Sequence, residues 1–494
     1  MIAPHLPALQ VVLPLIAAPL CVLTFNGRLA WLLALLVSWA AFAIAVALLL
    51  QVLAAGEPIT YALGGWPPPW GIEYRVDILN VFVLLIVAAI GAVVLLFAYR
   101  SVEREIAPDR QHLFYSMYVL CLTGLLGITI TGDAFNIFVF LEISSLSTYA
   151  LIAMGRRRKA LTAAFQYLIL GTIGATFYLI GIGMLYMVTG TLNLVDLNQR
   201  LADVQDARAV LVAFSFVTVG IALKLALFPL HLWLPNAYAY APSAVSAFIA
   251  ATATKVSVYV MLRLVYGVFG VDFAFGEEPL GMVLFVPALI AVFAGSLVAI
   301  FQINIKRMLA YSSVAQIGYI VLGLSLATQT ALLAAVVHLF NHALMKGALF
   351  CVLGCIFYRI GSVRIEQMAG IAREMPWTMA GFVVAGLSLI GVPLTAGFIS
   401  KWYLVQAALE QGYWPLAVAI LLAAPLALIY VWRVIEAAYL QPAPAGREPV
   451  REAPLVMLVP TWVLVLANVY FGIETSLTVE NANRAASLLL HGGW

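Results

Sequence analysis

Four lysines stand inside long apolar runs of the sequence, at Lys224, Lys255, Lys346 and Lys401. The chain has only six lysines, whereas its nineteen arginines fall mostly at the ends of the apolar runs. Arginine stays protonated in proteins, while a buried lysine changes its protonation state readily. An ionised side chain at mid-membrane costs roughly 2.5–3.5 kcal/mol on insertion scales, so packing alone explains four of them poorly. The pattern favours proton transfer; the alternative is that each amine reaches the lipid headgroups.

A carboxylate stands in a comparable place, at Glu142 within the stretch from Asn136 to Ser145. A lone buried carboxylate is usually neutral, but a nearby ammonium keeps it ionised. We therefore predict that Glu142 pairs with Lys224, which then passes its proton onward; a static structural ion pair is the alternative. Asp133, at the start of the same apolar run, is predicted to cap a helix.

His338, His342 and Lys346 follow one another at intervals of four residues, which places them on one face of a helix. Such a stripe, with water around it, could relay protons between the two halves of the membrane. Structural hydrogen bonding is one alternative. Metal binding is another, but no acidic residue stands between the two histidines and no third ligand is near. His231, just after Pro229, could end the relay or could be an ordinary hydrogen-bonded histidine.

The elements that must position these residues are membrane-spanning helices. Of the 494 residues, 64% are hydrophobic and 10% are charged, whereas a soluble domain carries roughly 25% charged residues. Because about 20 apolar residues span a bilayer, we predict an all-α membrane protein of about fourteen transmembrane helices. The predicted spans are residues 6–24, 29–53, 76–98, 112–130, 133–154, 161–189, 209–234, 241–267, 279–300, 306–326, 329–359, 377–409, 412–440 and 453–475.

Two of the predicted spans contain a proline beside one of the lysines. Pro229 follows Lys224, and Pro393 precedes Lys401. Proline inside a helix removes a backbone hydrogen bond and clashes with the preceding turn, so we predict a helix break at each position. Interrupted spans at corresponding places in two halves of a chain are typical of inverted repeats around a transport site.

Basic residues are concentrated in alternate connecting segments. One side carries most of them, including the run from Arg156 to Lys159, and the other side carries only Arg75, Arg200, Arg208 and Arg484, with Arg263 near a helix end. Basic segments favour the cytoplasmic side. The sequence thus predicts a multi-pass protein of the inner (plasma) membrane with both termini outside the cytoplasm.

Motifs for other kinds of chemistry are missing from the sequence. It contains no P-loop, no dinucleotide fingerprint and no cysteine cluster for iron–sulfur. Its basic segments are typical of membrane flanks and not of a nucleic-acid site. We therefore expect no cofactor, no resident metal and no nucleic-acid partner. Energy for transport would have to come from an ion gradient or from partner subunits.

Five segments together resemble the antiporter-like family shared by respiratory complex I and Mrp-type cation/proton antiporters. The resemblance covers about residues 60 to 440, and the loop from Leu63 to Asp77 is most similar to that of the D subunit of Mrp antiporters. The segments that carry the resemblance are Asn136 to Ser145, Lys224 to Pro235, Lys306 to Ser313, His338 to Lys346 and Gly397 to Lys401.

The resemblance implies two inverted five-helix repeats and a hydrated polar axis along the membrane midplane. On this sequence it implies N-terminal helices over 1–111, a first repeat over 112–267, a second repeat over 279–440 and a C-terminal helix and tail over 453–494. The family's key glutamate is similar to Glu142. Its central lysines match Lys224 and Lys255, its linking histidines match His338 and His342, and its terminal lysine matches Lys401.

The leading hypothesis is a proton-translocating subunit of a multisubunit Na⁺(K⁺)/H⁺ antiporter, and so a transporter subunit and not an enzyme. It implies other membrane subunits as partners, including a second antiporter-like subunit, with protons and a cation such as Na⁺ as the transported ions. The alternative is a proton-pumping subunit of a redox-driven complex, such as complex I or a membrane-bound hydrogenase. A third hypothesis is a structural subunit that transports nothing, whose buried lysines would tolerate neutral substitution.

Overall fold

A computed structural model of the chain describes residues 3–205, 207–277, 280–444 and 446–491. The described residues form eighteen α-helices and one small antiparallel sheet. In chain order the elements are α1 (Leu6–Leu23), α2 (Gly27–Ala55), β1 (Ile59–Ala62), β2 (Glu73–Val76), α3 (Ile78–Glu105), α4 (Gln111–Ile130), α5 (Ala134–Ala153), α6 (Arg158–Thr189), α7 (Leu194–Leu201), α8 (Arg208–Lys224), α9 (Leu234–Tyr240), α10 (Ser243–Leu262), α11 (Leu280–Ile300), α12 (Ile305–Ser325), α13 (Gln329–Ile360), α14 (Pro376–Ile390), α15 (Ala396–Glu410), α16 (Trp414–Leu440), α17 (Leu455–Ile473) and α18 (Ser476–Leu490).

Twelve helices in the described ranges are long and apolar enough to cross a membrane, namely α1 to α6, α10 to α13, α16 and α17. They coincide with twelve of the predicted spans to within a few residues, apart from α3, which runs several residues further, and the all-α membrane architecture is confirmed. The other two predicted spans are interrupted: in 209–234 the helix α8 ends at Lys224 and α9 begins only at Leu234, and 377–409 is split into α14 and α15. A total of fourteen crossings therefore stays a prediction.

Both broken spans have a backbone that leaves the helix near the proline. Helix α8 ends at Lys224, Ala226 has a positive φ of 62°, and α9 begins only at Leu234. Helix α14 ends at Ile390, Gly391 has a φ of 92°, and α15 begins at Ala396. The predicted breaks at both prolines are confirmed.

The order of the elements repeats. The series α4, α5, α6, broken α8–α9 and α10 is followed by the series α11, α12, α13, broken α14–α15 and α16, so the broken span is fourth of five in each. The division of the chain into repeats over 112–267 and 279–440 stays a prediction. The inverted relation between them stays a prediction.

Helix α13 lies in the centre of the bundle, and every residue from Ala331 to Ile356 is buried. It packs against α3, α10, α12, α15, α17 and α18. The stripe of His338, His342 and Lys346 therefore lies in the middle of the protein and not on a lipid-facing surface.

Local side-chain bonds fix where helices begin. Asp77 caps α3 in a reciprocal capping box with Asn80. Asp133 accepts a hydrogen bond of 2.7 Å from the backbone N–H of Asn136 at the start of α5. The predicted capping role of Asp133 is confirmed.

Besides the short helix α7, two elements were not predicted. Strands β1 and β2 pair antiparallel with Ile59 opposite Val76, where only a loop was expected. The predicted C-terminal tail contains α18, which packs on α13. Both elements are too short to give a 20-residue apolar run, so a search for membrane spans passes over them.

Candidate functional site

Glu142 and Lys224 form an ion pair between α5 and the end of α8. Lys224 Nζ lies 3.7 Å from Glu142 Oε1, and the Lys224 side chain is 4% exposed while that of Glu142 is 23% exposed. Lys224 Nζ also donates a hydrogen bond of 2.9 Å to Ser145 Oγ. The predicted pairing of the two residues is confirmed.

The helix break holds Lys224 at the end of α8. The Trp233 indole N–H donates to the Leu223 backbone oxygen at 3.0 Å, and the same oxygen accepts from the Ala226 backbone N–H at 3.1 Å. The same indole stacks on Tyr167 of α6, with ring centroids 3.9 Å apart. These contacts fix both sides of the break, so Lys224 stays opposite Glu142.

A small cavity of about 20 Å³ lies between Lys224 and α10. Its walls include Ser145 and Tyr167 as well as Ala253, Val256 and Ser257, which flank Lys255 on α10. A cavity of this size with polar walls has room for about one water molecule. The cavity therefore connects the ion pair with the helix that carries the next lysine.

Lys255 is 1% exposed and lies on α10. Its Nζ donates a hydrogen bond of 2.5 Å to the backbone oxygen of Ala250 and lies 3.4 Å from Thr254 Oγ1. No carboxylate forms an ion pair with Lys255 in the described part of the chain. Helix α10 packs against α13, the helix that carries His342 and Lys346.

The two predicted relay histidines have different surroundings. His338 Nδ1 lies 2.8 Å from Ser400 Oγ, and its Nε2 lies 2.9 Å from Gln316 Oε1. Neither ring nitrogen of His342 has a hydrogen-bond partner among the described residues, although the residue is fully buried. The two rings are 6.2 Å apart and nearly parallel. Because buried polar groups are nearly always hydrogen-bonded, His342 is expected to bind water.

Lys346 is fully buried one turn beyond His342. Its Nζ donates to the Leu309 backbone oxygen at 2.8 Å and to Ser312 Oγ, both on α12. The predicted stripe of His338, His342 and Lys346 on one face of α13 is confirmed. Its role as a proton relay stays a prediction.

Lys401 lies on α15 and points back at the end of α14. Its Nζ donates hydrogen bonds to the backbone oxygens of Leu389 at 3.0 Å and Ile390 at 2.8 Å. The ammonium also lies 5.0 Å from the centre of the Tyr319 ring. The carbonyl end of a helix carries partial negative charge, so the second break supplies a site for a cation.

His231 lies apart from the central stripe. It is 8% exposed, and its ring stacks on Phe228, with ring centroids 5.3 Å apart, inside the first helix break. Its Nδ1 has no hydrogen-bond partner among the described residues. The ring centroid is 6.4 Å from that of Tyr311 on α12. A contribution of His231 to proton transfer stays a prediction.

The burial of Lys306 and of the Arg263–Asp77 ion pair was not predicted. Lys306, counted among the basic flanks, is 3% exposed. Arg263 pairs with Asp77 at 2.6 Å between Nη2 and Oδ2, with both side chains buried. In the sequence Lys306 precedes Arg307 at the start of a span and Arg263 falls near a helix end, so both match the pattern of membrane-boundary residues.

Groups that could hold a metal are missing from the described part of the chain, where no three His, Cys, Asp or Glu side chains come together. The four cysteines are buried and unbridged.

Comparison with known proteins identifies relatives of two kinds. The family described as "NADH:quinone oxidoreductase/Mrp antiporter, TM" matches residues 131–427. The N subunit of the NADH-quinone oxidoreductase of Desulforudis audaxviator is 43% identical, with 97% of each chain covered. The D subunit of the Na⁺/H⁺ antiporter of Alkalihalophilus pseudofirmus is 32% identical, with 72% of this chain and 71% of the relative covered.

Solved structures show the same fold. A chain of the Mrp complex from Dietzia sp. superposes with a TM-score of 0.90 at 26% identity, covering 99% of this chain and 98% of that chain. A chain of the membrane-bound sulfane sulfur reductase, an archaeal respiratory membrane complex, gives a TM-score of 0.89 at 30% identity, with 98% of each chain covered.

Proposed function

Because the chain belongs to the transmembrane family shared by NADH:quinone oxidoreductase and Mrp antiporters, we propose that it is the proton-translocating subunit of a multisubunit Na⁺(K⁺)/H⁺ antiporter. The observation that carries the proposal is the Lys224–Glu142 ion pair, 3.7 Å across, at a helix break in a bundle of membrane helices. Transport proteins place half-helix ends and ionisable side chains together at such breaks.

Lys224 is the first proton carrier in the proposed path. While Glu142 is ionised beside it, the ammonium form of Lys224 is stabilised. When the ammonium turns away from Glu142, its proton can pass to water in the 20 Å³ cavity, which is lined by Ala253, Val256 and Ser257 of α10 but not by Lys255. The proposed path continues from this cavity to Lys255 on the same helix. The neutral Lys224 amine is then reloaded by a proton that enters near Glu142.

The second half of the path runs through α13 to the second helix break. Lys255 lies on α10, which packs against the helix that carries His342 and Lys346, and His338 bonds Ser400, the residue before Lys401 on α15. A proton would move from Lys255 along His342 and His338 to Lys401, with Lys346 setting the charge beside the histidines. Release takes place near Lys401, at the carbonyl end of α14.

Glu142 supports the assignment to a multisubunit complex. It stands on the outer face of α5 in line with the exposed apolar residues Phe135, Val139 and Leu146. A partly exposed carboxylate at this depth is costly against lipid. A neighbouring membrane subunit, such as a second antiporter-like subunit, would cover it and exclude lipid. Within such a complex the end of the bundle that carries the run from Arg156 to Lys159, here called the basic end, faces the cytoplasm.

A redox-driven complex is a second candidate, and it is favoured by the 43% identity with an N subunit of NADH-quinone oxidoreductase over 97% of both chains. Proton movement inside this chain would be the same, but electron transfer in partner subunits would supply the energy. Mass spectrometry of the complex purified through this chain distinguishes the two. Small membrane subunits with a second antiporter-like subunit support the antiporter, and flavin or iron–sulfur subunits support the redox enzyme.

Proton flux tests the shared mechanism. The complex is reconstituted into vesicles with Lys224→Ala, Lys401→Ala or Lys159→Ala, the last being an exposed lysine of the basic end. We expect the first two variants to lose flux and Lys159→Ala to keep it. Wild-type flux from an assembled complex with Lys224→Ala would contradict the proposal and favour a structural subunit.

A further inference from the structure

A cavity of about 350 Å³ opens at the basic end of the bundle and shares no lining residue with the cavity beside Lys224. It lies where α3 ends, where α9 turns into α10 and where α12 begins. Its charged lining residues are Arg104, Glu105, Arg156, Arg157 and Lys306. None of them has a place in the path described above.

Lys306 points into the protein although it stands at the first turn of α12. It is 3% exposed, and its Nζ donates to the Ala241 backbone oxygen at 3.2 Å and to Ser243 Oγ at 3.1 Å. A lysine at the end of a membrane helix ordinarily extends its amine towards the headgroups and water. The inward orientation of Lys306 therefore needs another explanation than membrane anchoring.

Glu105 lies on the other side of the same serine. Its two carboxylate oxygens accept from the Ser243 backbone N–H at 3.2 Å and 3.0 Å, and Oε1 also accepts from Ser101 Oγ at 2.8 Å. Ser243 thus bonds the Glu105 carboxylate with its amide and the Lys306 ammonium with its hydroxyl. A proton acceptor and a proton donor meet at one wall of the cavity.

Helix α12 connects this wall with three residues of the proposed path. The Leu309 backbone oxygen and Ser312 Oγ hold Lys346, as described above. Further along the helix, Gln316 bonds His338 and the Tyr319 ring lies beneath Lys401. The spacing of Lys306, Leu309, Ser312, Gln316 and Tyr319 by three or four residues puts them along one face of α12.

We propose that Glu105 and Lys306 form a second proton-loading site, which takes protons from water at the basic end and delivers them to the second repeat through Lys346. Water in the cavity protonates Glu105 or the neutral Lys306 amine. The Lys306 ammonium gives its proton, through water along α12, to the neutral Lys346 amine. Lys346 then passes the proton to His342, one turn away on α13, so both lysines are left neutral for the next proton. The proposal rests on the proposed function, because it supplies a second inlet to the same path.

A fixed structural cation is the competing explanation, in which Lys306 only ties α12 to the α9–α10 turn. The two explanations differ for Lys306→Arg, since arginine keeps the charge and the donors but does not release a proton. They also differ for Glu105→Gln, which keeps a hydrogen-bond acceptor but loses the ionisable group.

The experiment measures proton flux of the reconstituted complex for Lys306→Arg, Lys306→Met and Glu105→Gln. Lys159→Met and Glu103→Gln are matched controls, because both residues are exposed at the same end of the bundle. We expect each of the three variants to lower flux about tenfold or more, and the controls to keep it, as for a positioned proton-transfer group. If Lys306→Met fails to assemble, Lys306→Arg and Glu105→Gln still test the proposal.

Lys224→Ala in the same assay distinguishes failure of this inference from failure of the proposed function. If Lys224→Ala abolishes flux while Lys306→Arg and Glu105→Gln retain the wild-type rate, this inference is wrong and the proposed function stands. If Lys224→Ala also retains the wild-type rate, the proposed function fails as well. Loss of flux in Lys306→Met with full flux in Lys306→Arg would assign Lys306 to the fixed structural cation.

Discussion

The two helix breaks hold their lysines in different ways. At the first break Lys224 faces a carboxylate, Glu142, and a hydroxyl, Ser145. At the second break Lys401 has no carboxylate in ion-pair contact within the described residues, and its ammonium lies on the backbone oxygens of Leu389 and Ile390. One lysine is stabilised by an ionisable partner and the other by fixed backbone dipoles.

Because of this difference, the affinity for a proton can change at the first site but not at the second. The charge of Glu142 can change, so the affinity of the first site for a proton can be switched by whatever approaches that carboxylate. The carbonyl end of α14 cannot change its charge, so the affinity of the second site for a proton stays constant. The comparison suggests that control of transport lies at the first break and that the second break serves as a passive terminus.

The largest effect is expected from Lys224→Arg and Lys401→Arg. Both lysines are proposed to carry protons, although a carboxylate stabilises one and backbone oxygens stabilise the other. Arginine keeps the positive charge at each site but does not release a proton. We expect either change to lower proton flux about a hundredfold in assembled complexes. Full flux with Lys401→Arg would show that the second site needs only a positive charge. It would contradict the proposal that both lysines carry protons.

A smaller effect is expected from Glu142→Gln, which removes the ionisable partner of Lys224. Without that charge the ammonium form of Lys224 is destabilised, and we expect flux to fall about tenfold. Glu410→Gln is the control in the same vesicle assay, because Glu410 is an exposed carboxylate at the end of α15. Equal flux in the two variants would contradict the switching role of Glu142.

Gly391→Ala tests the second helix break, because the added methyl group crowds the Lys401 side chain. A Cβ at Gly391 would lie 2.9 Å from Lys401 Cδ, while a Cβ at Gly412 meets nothing within 4 Å. Both glycines have positive φ, at 92° and 73°, so the backbone strain is similar. The extra crowding costs about 1–3 kcal/mol. We expect Gly391→Ala, but not Gly412→Ala, to displace Lys401 and lower flux severalfold.

The smallest effect is expected at Tyr319, whose ring lies 5.0 Å from the Lys401 ammonium. Replacing the ring removes a cation–π contact worth about 0.5–2 kcal/mol. We expect Tyr319→Leu to lower flux about threefold and Tyr319→Phe, which keeps a ring, to change it little. Equal losses in both variants would assign the effect to the hydroxyl group and not to the ring.

Much of the fold could be predicted because membrane helices must be long and apolar. The twelve continuous spans followed from runs of apolar residues, and both breaks followed from proline. The β1–β2 hairpin and α18 could not be predicted in this way. They are short, and their stability depends on packing against other parts of the chain and not on local sequence.

The residues of the candidate site also divide into those that could be predicted from the sequence and those that could not. Lys224, Glu142 and Lys401 were found because an ionisable residue in an apolar run is conspicuous. Lys306 was missed because it begins a span beside Arg307, as a membrane-anchoring residue would. Only the packing of the α9–α10 turn against α12 turns its amine inward, onto Ala241 and Ser243.

The sequence by itself determined the environment of this protein, its helices and the kinds of chemical group available in them, because hydrophobicity and ionisability are properties of individual residues. The tertiary structure decided which groups meet. It placed Glu142 3.7 Å from Lys224 and set Lys401 on the carbonyls of α14. It also joined Asp77 to Arg263 across 186 positions of the chain. Contacts between distant residues depend on how the helices pack together, and no local pattern in the sequence specifies that packing.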